Sequence, residues 1–231
     1  MKHIFFDLDR TLWDFDKNSK FALESLYEEH RLGDHLRSFQ SFYTKYKKIN
    51  ADLWYQCAKG RVTKDVLRTK RFKDTLAHFE VRSEELTLKM SDGYVNLSPH
   101  QTRLFPNTLE TLESLKNDNY QLHIITNGFK EVQFIKLEKS GLLPYFDVIL
   151  CSEEVGHNKP ARIVFDTALE MAKASVPQSV MIGDSYEADI VGAENVGMRS
   201  ILFDPDRIHR EGAHKWHIHA LDQIPDMLAW M

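Results

Sequence analysis

The chain has 231 residues, 42% of them hydrophobic and 28% charged. That is an ordinary globular composition, which excludes a disordered chain, and the length corresponds to about one and a half domains. Thirty Lys and Arg against 34 Asp and Glu leave a net charge of −4, without the basic footprint of a general nucleic-acid binder. Cys57 and Cys151 lie far apart and form no CxxC motif, no apolar run approaches the roughly 18 residues of a membrane span, and the opening Met1-Lys2-His3-Ile4-Phe5-Phe6-Asp7 shows no secretory h-region. A cytoplasmic location is therefore expected, and Asn96-Leu97-Ser98 carries no meaning as a glycosylation acceptor there.

Ile4-Phe5-Phe6 is a short apolar run that stops at Asp7-Leu8-Asp9, the pattern of a strand buried on both faces of a parallel sheet. From about Trp13 to Pro99 the texture is helical throughout. Asn18 or Ser19 is expected to cap a first helix carrying Phe21, Ala22 and Leu26. Phe39, Phe42, Tyr43, Tyr46, Ile49, Leu53 and Trp54 keep a 3–4 spacing, Gly60 punctuates the run, and Thr63 and Ser83 open two further helices.

After Pro106 strands and helices alternate. A helix with Leu109, Leu112 and Leu115 precedes a strand over 122–126. A helix over 129–139 ends before Gly141, and a strand is expected over 146–150. Pro160 suits the first turn of the next helix. A strand over 180–182, a helix over 186–195 and a strand over 200–203 follow. Such alternation implies parallel βα units with right-handed crossovers, broken after the first strand by the helical insert. The late cluster His209, His214, His217 and His219 sits in a polar, irregular stretch and reads as surface rather than as a metal site.

In an open α/β sheet, ligands bind beyond the carboxyl ends of the strands. There the chain places Asp7, Asp9 and Thr11, then Thr126, Asn127 and Gly128, then Lys159-Pro160, then Gly183-Asp184-Ser185 with Asp189 a turn further on. Carboxylates crowded into one crevice repel one another unless a cation joins them, and all-oxygen donors suit Mg²⁺. The Thr126 hydroxyl and the Lys159 ammonium suit a phosphoryl group. Ser185 suits an N-cap.

The series Asp7-x-Asp9-x-Thr11, Thr126-Asn127, Lys159-Pro160 and Gly183-Asp184-x4-Asp189 resembles the four motifs of the haloacid dehalogenase-like (HAD) phosphohydrolases. The resemblance implies a Rossmann-like parallel α/β core over residues 1–13 and 99–231, with an all-helical cap inserted at 14–98 between the first two motifs. It implies that Asp7 is the nucleophile, forming an aspartyl-phosphate, and that Asp9 is the general acid/base. Mg²⁺ would be held by the Asp7 carboxylate, the Asp9 backbone carbonyl and Asp184, with Asp189 orienting the Asp184 shell. Thr126, the Asn127 backbone and Lys159 would hold the phosphoryl oxygens, and Lys159 would also offset charge at Asp7. Arg10 departs from the acidic or small residue common at that position, and its side chain is expected to point away from Asp7 and Asp9.

Asp9 argues against a dehalogenase, which needs no acid for a leaving alkoxide. Trp13-Asp14-Phe15, Trp54 with Gly60, and Arg71-Phe72 resemble the pyrimidine 5′-nucleotidase branch. That resemblance implies a nucleoside 5′-monophosphate as substrate. Trp13, Phe15 or Trp54 would then stack on the base, with Arg71 either a ligand contact or an internal partner of the cap. A sugar-phosphate phosphatase, a phosphomutase and a non-catalytic phosphate-binding module stay open beside it. The expected partner is a small phosphate ester, with no nucleic-acid polymer, membrane or obligate protein partner.

Overall fold

A computed structural model describes every residue of the chain except Glu211 and Ala213. The chain divides into two compact units, one formed by Met1–Phe15 with Thr102–Met231 and the other by Asp16–Gln101.

The first unit is built on a six-stranded sheet in the order β3-β2-β1-β4-β5-β6. Its strands are β1 (His3–Phe6), β2 (Gln121–Thr126), β3 (Val148–Cys151), β4 (Ser179–Gly183), β5 (Arg199–Phe203) and β6 (His217–Ile218), and all described pairings are parallel. Side chains alternate between faces along a strand, and here both faces are covered. Ile4, Phe6, Ile124, Ile182 and Phe203 pack with Leu112, Leu115, Leu137 and Ile224 on one side. Phe5, Ile125, Leu150 and Met181 pack with Val164, Phe165, Ala168 and Ala193 on the other. Burial on both sides is why β1 reads as an unbroken apolar run. The covering helices are α5 (Thr108–Asn117), α6 (Lys130–Lys139), α7 (Arg162–Met171), the short α8 (Gly192–Glu194) and α9 (Ile224–Ala229).

The second unit is helical: α1 (Phe15–Glu29, which begins at the last residue of the first unit), α2 (Phe39–Ala58), α3 (Lys64–His78) and α4 (Glu84–Leu97). Ser38, Thr63 and Ser83 each accept a backbone N–H through the side chain at the helix start, satisfying one of the donors a helix N-terminus leaves open. Its core joins Leu23, Leu26, Phe42, Tyr46, Phe72, Met90 and Tyr94.

Four local expectations change. Asn18 and Ser19 do not cap α1. The helix already runs from Phe15 and both residues are buried within it, the Ser19 hydroxyl accepting a bond from Tyr94 at 2.9 Å. Pro160 does not open a helix: α7 starts two residues later, at Arg162, with Ala161 at its N-cap. Tyr186–Val191 is a π-helix rather than an α-helix, with Ser185 capping it through a bond from the Ala188 N–H. The histidine-rich stretch is not all surface, since it supplies β6, a strand too short to show periodicity.

Candidate functional site

The carboxyl ends of β1, β2 and β4 meet, with the Lys159 loop, around one ammonium group. Lys159 is 2% exposed. Its Nζ donates to Asp7 Oδ1 at 2.7 Å, to Asp189 Oδ1 at 2.6 Å and to the Ile125 carbonyl at 2.7 Å. Those three bonds use all the donors of an ammonium. Burial opposes the charge on Lys159, yet the carboxylates of Asp189 and Asp7 overcome it and raise its pKa above the ordinary lysine value. The geometry therefore gives Lys159 the charge-offsetting place at Asp7 and leaves no donor for a phosphoryl oxygen while the side chain stands as it does.

Asp7 is buried, and burial pushes its carboxyl up to about 7, against the opposing pull of Lys159. Asp184 is raised well above the carboxylate range, first by burial and then by the charges of Asp7 and Asp189. Thr11 bridges the two strand ends: its hydroxyl accepts from the Asp184 N–H at 3.1 Å and lies 3.5 Å from Asp7 Oδ2 and 3.4 Å from Asp184 Oδ1. Carboxylate oxygens of Asp7, Asp184 and Asp189 lie within 4.8 Å of one another. An all-oxygen, multiply anionic donor set fits a hard divalent cation such as Mg²⁺. Asp189, besides meeting Lys159, accepts the Ser185 N–H at 3.0 Å. It is thus anchored to the loop that carries Asp184 rather than to the Asp184 side chain.

Asp9 has partners that sequence reasoning missed. Its Oδ1 accepts from Lys136 Nζ at 2.6 Å and its Oδ2 from Gln133 Nε2 at 2.9 Å. Both donors lie on α6, three residues apart, and are buried despite their polarity. Two long polar side chains on the inward stripe of a helix were the available signal. Gln133 also donates to the Thr126 hydroxyl at 2.7 Å, which in turn accepts the Gly128 N–H at 3.1 Å. A Cβ at Gly128 would overlap the Gln133 amide, so this tight turn requires glycine. Asn127 clamps the lysine loop, accepting the Lys159 N–H at 2.8 Å and donating to the Lys159 carbonyl at 3.2 Å.

The aromatic and cap residues part company. Trp13 is fully buried in the sheet core, with Lys136 Nζ 4.3 Å from its ring centroid, so base stacking does not fit it. Phe15 lies beside Trp13 and under the Arg10 guanidinium, at 4.5 Å. Arg10 adopts a left-handed φ of 68°, and its charge lowers the Asp184 carboxyl in opposition to burial. In the helical unit, Trp54 is half-buried against the cluster of Leu53, Cys57 and Leu67. Arg71 is buried, donates to the Arg68 carbonyl at 3.2 Å and to Asn50 Oδ1 at 3.4 Å, and lies 4.6 Å from the Tyr94 ring centroid. These contacts make it an internal partner of its own unit.

Comparison with known proteins bears on this arrangement. Residues 4–203 match the haloacid dehalogenase-like hydrolase family. The chain is 31% identical to the pyrimidine 5′-nucleotidase YjjG of Escherichia coli, over 97% of this chain and 96% of that protein. It is also 31% identical to a ribulose-1,5-bisphosphate 5-phosphatase of Halopiger xanaduensis, over 98% of each. The magnesium-bound structure of the putative HAD-hydrolase YfnB from Bacillus subtilis superposes with a TM-score of 0.89 at 26% identity, covering 99% of this chain and 98% of that one.

Proposed function

The chain belongs to the haloacid dehalogenase-like hydrolase family, and from that premise we propose that it is a Mg²⁺-dependent phosphatase acting on a nucleoside 5′-monophosphate. The observation that carries the reading is the pairing of a buried Asp7–Lys159–Asp189 network with a separately anchored Asp9. One carboxylate is screened by a cation for attack, and a second is held apart for proton transfer.

Asp7, the Asp9 backbone carbonyl and Asp184 would hold Mg²⁺, which supplies charge neutralisation among the carboxylates and along the phosphoryl oxygens. Asp7 attacks phosphorus and forms an aspartyl-phosphate as the ester oxygen departs with a proton from Asp9. Asp9 then takes a proton from water as the water oxygen attacks phosphorus, which breaks the bond to Asp7, releases inorganic phosphate and restores the Asp7 carboxylate. Lys159 keeps Asp7 screened. Asn127 fixes the lysine loop, and Thr126 with the adjoining turn lies where the phosphoryl oxygens are to be held. We read the helical insert as the cap that selects the ester, and the protein as cytoplasmic; among the described residues no helix is long and apolar enough to cross a membrane.

The nucleotide reading is supported by full-length similarity to a pyrimidine 5′-nucleotidase. A second reading, a sugar-phosphate phosphatase, is favoured by equal identity to a ribulose-bisphosphate phosphatase. A Mg²⁺-supported phosphate-release screen across nucleotides and sugar phosphates decides between them. The expected result is preferred release from pyrimidine nucleoside monophosphates, abolished by EDTA and by Asp7→Asn in a folded protein. Preferred release from sugar phosphates selects the second reading, an isomerised product with little free phosphate identifies a mutase, and near-normal turnover by Asp7→Asn sinks the mechanism.

A further inference from the structure

Asp204, His217 and His219 form a cluster outside the phosphate-site residues, at the carboxyl ends of the edge strand β6 and its neighbour β5. Asp204 directly follows β5. The pairing of Phe203 with Ile218, and the bond from the Asp204 N–H to the Ile218 carbonyl at 2.9 Å, bring it beside the end of β6. His217 and His219 are two residues apart on β6 and its end, the spacing that turns side chains to one side of a strand. Their rings meet edge-on with centroids 4.7 Å apart. One ligand atom from each of the three residues lies within 4.8 Å of the other two.

Two details favour a cation there over a plain polar contact. A carbonyl can only accept, so the 2.7 Å contact of His219 Nδ1 with the Asp204 carbonyl places the proton on Nδ1 and leaves Nε2 with a bare lone pair, the arrangement common in metal-bound histidine. The His217 side chain is 9% exposed, and its Nε2 lies 3.4 Å from Asp204 Oδ2, a long ion-pair contact that falls short of hydrogen-bond geometry among the described residues. An N–H there has only this long contact with the carboxylate, and a bare lone pair would face its negative charge, so a cation shared by the two groups satisfies both more fully. Metal–ligand bonds of about 2.0–2.2 Å in a tetrahedral zinc site put neighbouring donors roughly 3.3–3.6 Å apart, which spans the 3.4 Å His217–Asp204 separation. The Asp204 carboxylate is already oriented by the N–H groups of Ile208 and His209, at 2.9 and 2.8 Å.

We infer that Asp204, His217 and His219 form a second metal site, selective for a zinc-type divalent transition ion and distinct from the all-oxygen phosphate site. Two nitrogen donors disfavour Mg²⁺, and the fourth position is open to water. Bound there, the ion would pin the end of the two-residue strand β6 to β5.

The test uses untagged full-length protein carrying Asp184→Asn, which removes a carboxylate from the phosphate-site cluster, titrated with Co²⁺ as a spectroscopic probe. The expected result is one equivalent bound with the visible absorption of a tetrahedral nitrogen–oxygen site, and a Zn²⁺-induced rise in melting temperature. His217→Ala and His219→Ala, each in that background, should weaken Co²⁺ binding by about tenfold or more. If buried His217→Ala fails to fold, the half-exposed His219→Ala decides the matter, with circular dichroism verifying its fold. Absence of stoichiometric Co²⁺ binding, or binding unchanged in a folded His219→Ala variant, overturns the assignment.

Discussion

Asp7 is held between opposing influences: burial and the neighbouring carboxylates favour its protonated form, and Lys159 favours the anion. With its carboxyl raised to about 7 from 3.8, the cation-free fold prefers the protonated form across that interval. Its contribution to stability is present at low pH and is lost as pH rises from 3.8 to about 7. Metal binding needs the deprotonated ligand. The rise in melting temperature on adding Mg²⁺ should therefore be clearly larger at pH 8 than at pH 5.5, as measured by calorimetry in matched buffers. An equal rise at both values contradicts the Asp7–Asp184 cluster as the Mg²⁺ ligand set. The neighbouring pair Lys136 and Gln133 gives a second test at this scale. Lys136→Met removes the 2.6 Å bond that positions Asp9, and small misplacements of a reacting group cost up to about a hundredfold in rate. Steady-state kinetics should show kcat reduced roughly 10- to 100-fold with KM little changed; unchanged kcat removes Lys136 from the positioning of Asp9.

Among the elements, the π-helical segment Tyr186–Val191 matters most for the site. The wider turn follows the loop carrying Asp184 and turns Asp189 inward, so that one of its oxygens meets the Ser185 N–H and the other Lys159. Such π segments recur at functional sites. Gly183, the last residue of β4, is the complement of this turn, because a Cβ there would overlap the Asp189 carboxylate. Gly183→Ala should destabilise the protein by about 1–3 kcal/mol through overpacking and lower phosphatase activity by displacing Asp189 from Lys159. Thermal denaturation and phosphate release check the two effects, and wild-type values in both would show that the segment relaxes without consequence. The five longer strands, the helical texture of the insert and the Thr63, Ser83 and Ser185 caps could all be read along the chain, since each depends on neighbours within a few residues. The π turn, the cis Lys159–Pro160 peptide and β6 could not. Each answers to contacts with distant segments, and β6 has only two residues in which to show a pattern.

In the whole molecule, a parallel sheet is interrupted after its first strand by a helical unit, and the two have separate cores. If the helical unit selects the substrate as proposed, the half-buried Trp54 is a candidate to stack on a base. Base–aromatic stacking contributes about 1–3 kcal/mol. Trp54→Ala should therefore raise KM for nucleoside monophosphates roughly 5- to 100-fold with little change in kcat, and leave a simple aryl phosphate unaffected. A parallel loss on both substrates would assign Trp54 to packing alone. Arg71→Ala should instead lower stability, because the guanidinium is enclosed with Asn50 and Tyr94.

By itself the sequence determined which groups stand at the strand ends, Asp7, Asp9, Thr126 and Asp184, with Lys159 on the loop beyond the third strand. The apolar runs that make buried parallel strands end at or just before the four acidic and hydroxyl residues, and strand ends are local features. Tertiary structure alone decided how those groups are shared out. It spends Lys159 on Asp7 and Asp189, hands Asp9 to Lys136 and Gln133, buries Trp13, and gathers Asp204 with two histidines. Each of these is a pairing of charges or polar atoms brought together from distant parts of the chain, set by desolvation and distance in the folded protein rather than by spacing along the chain.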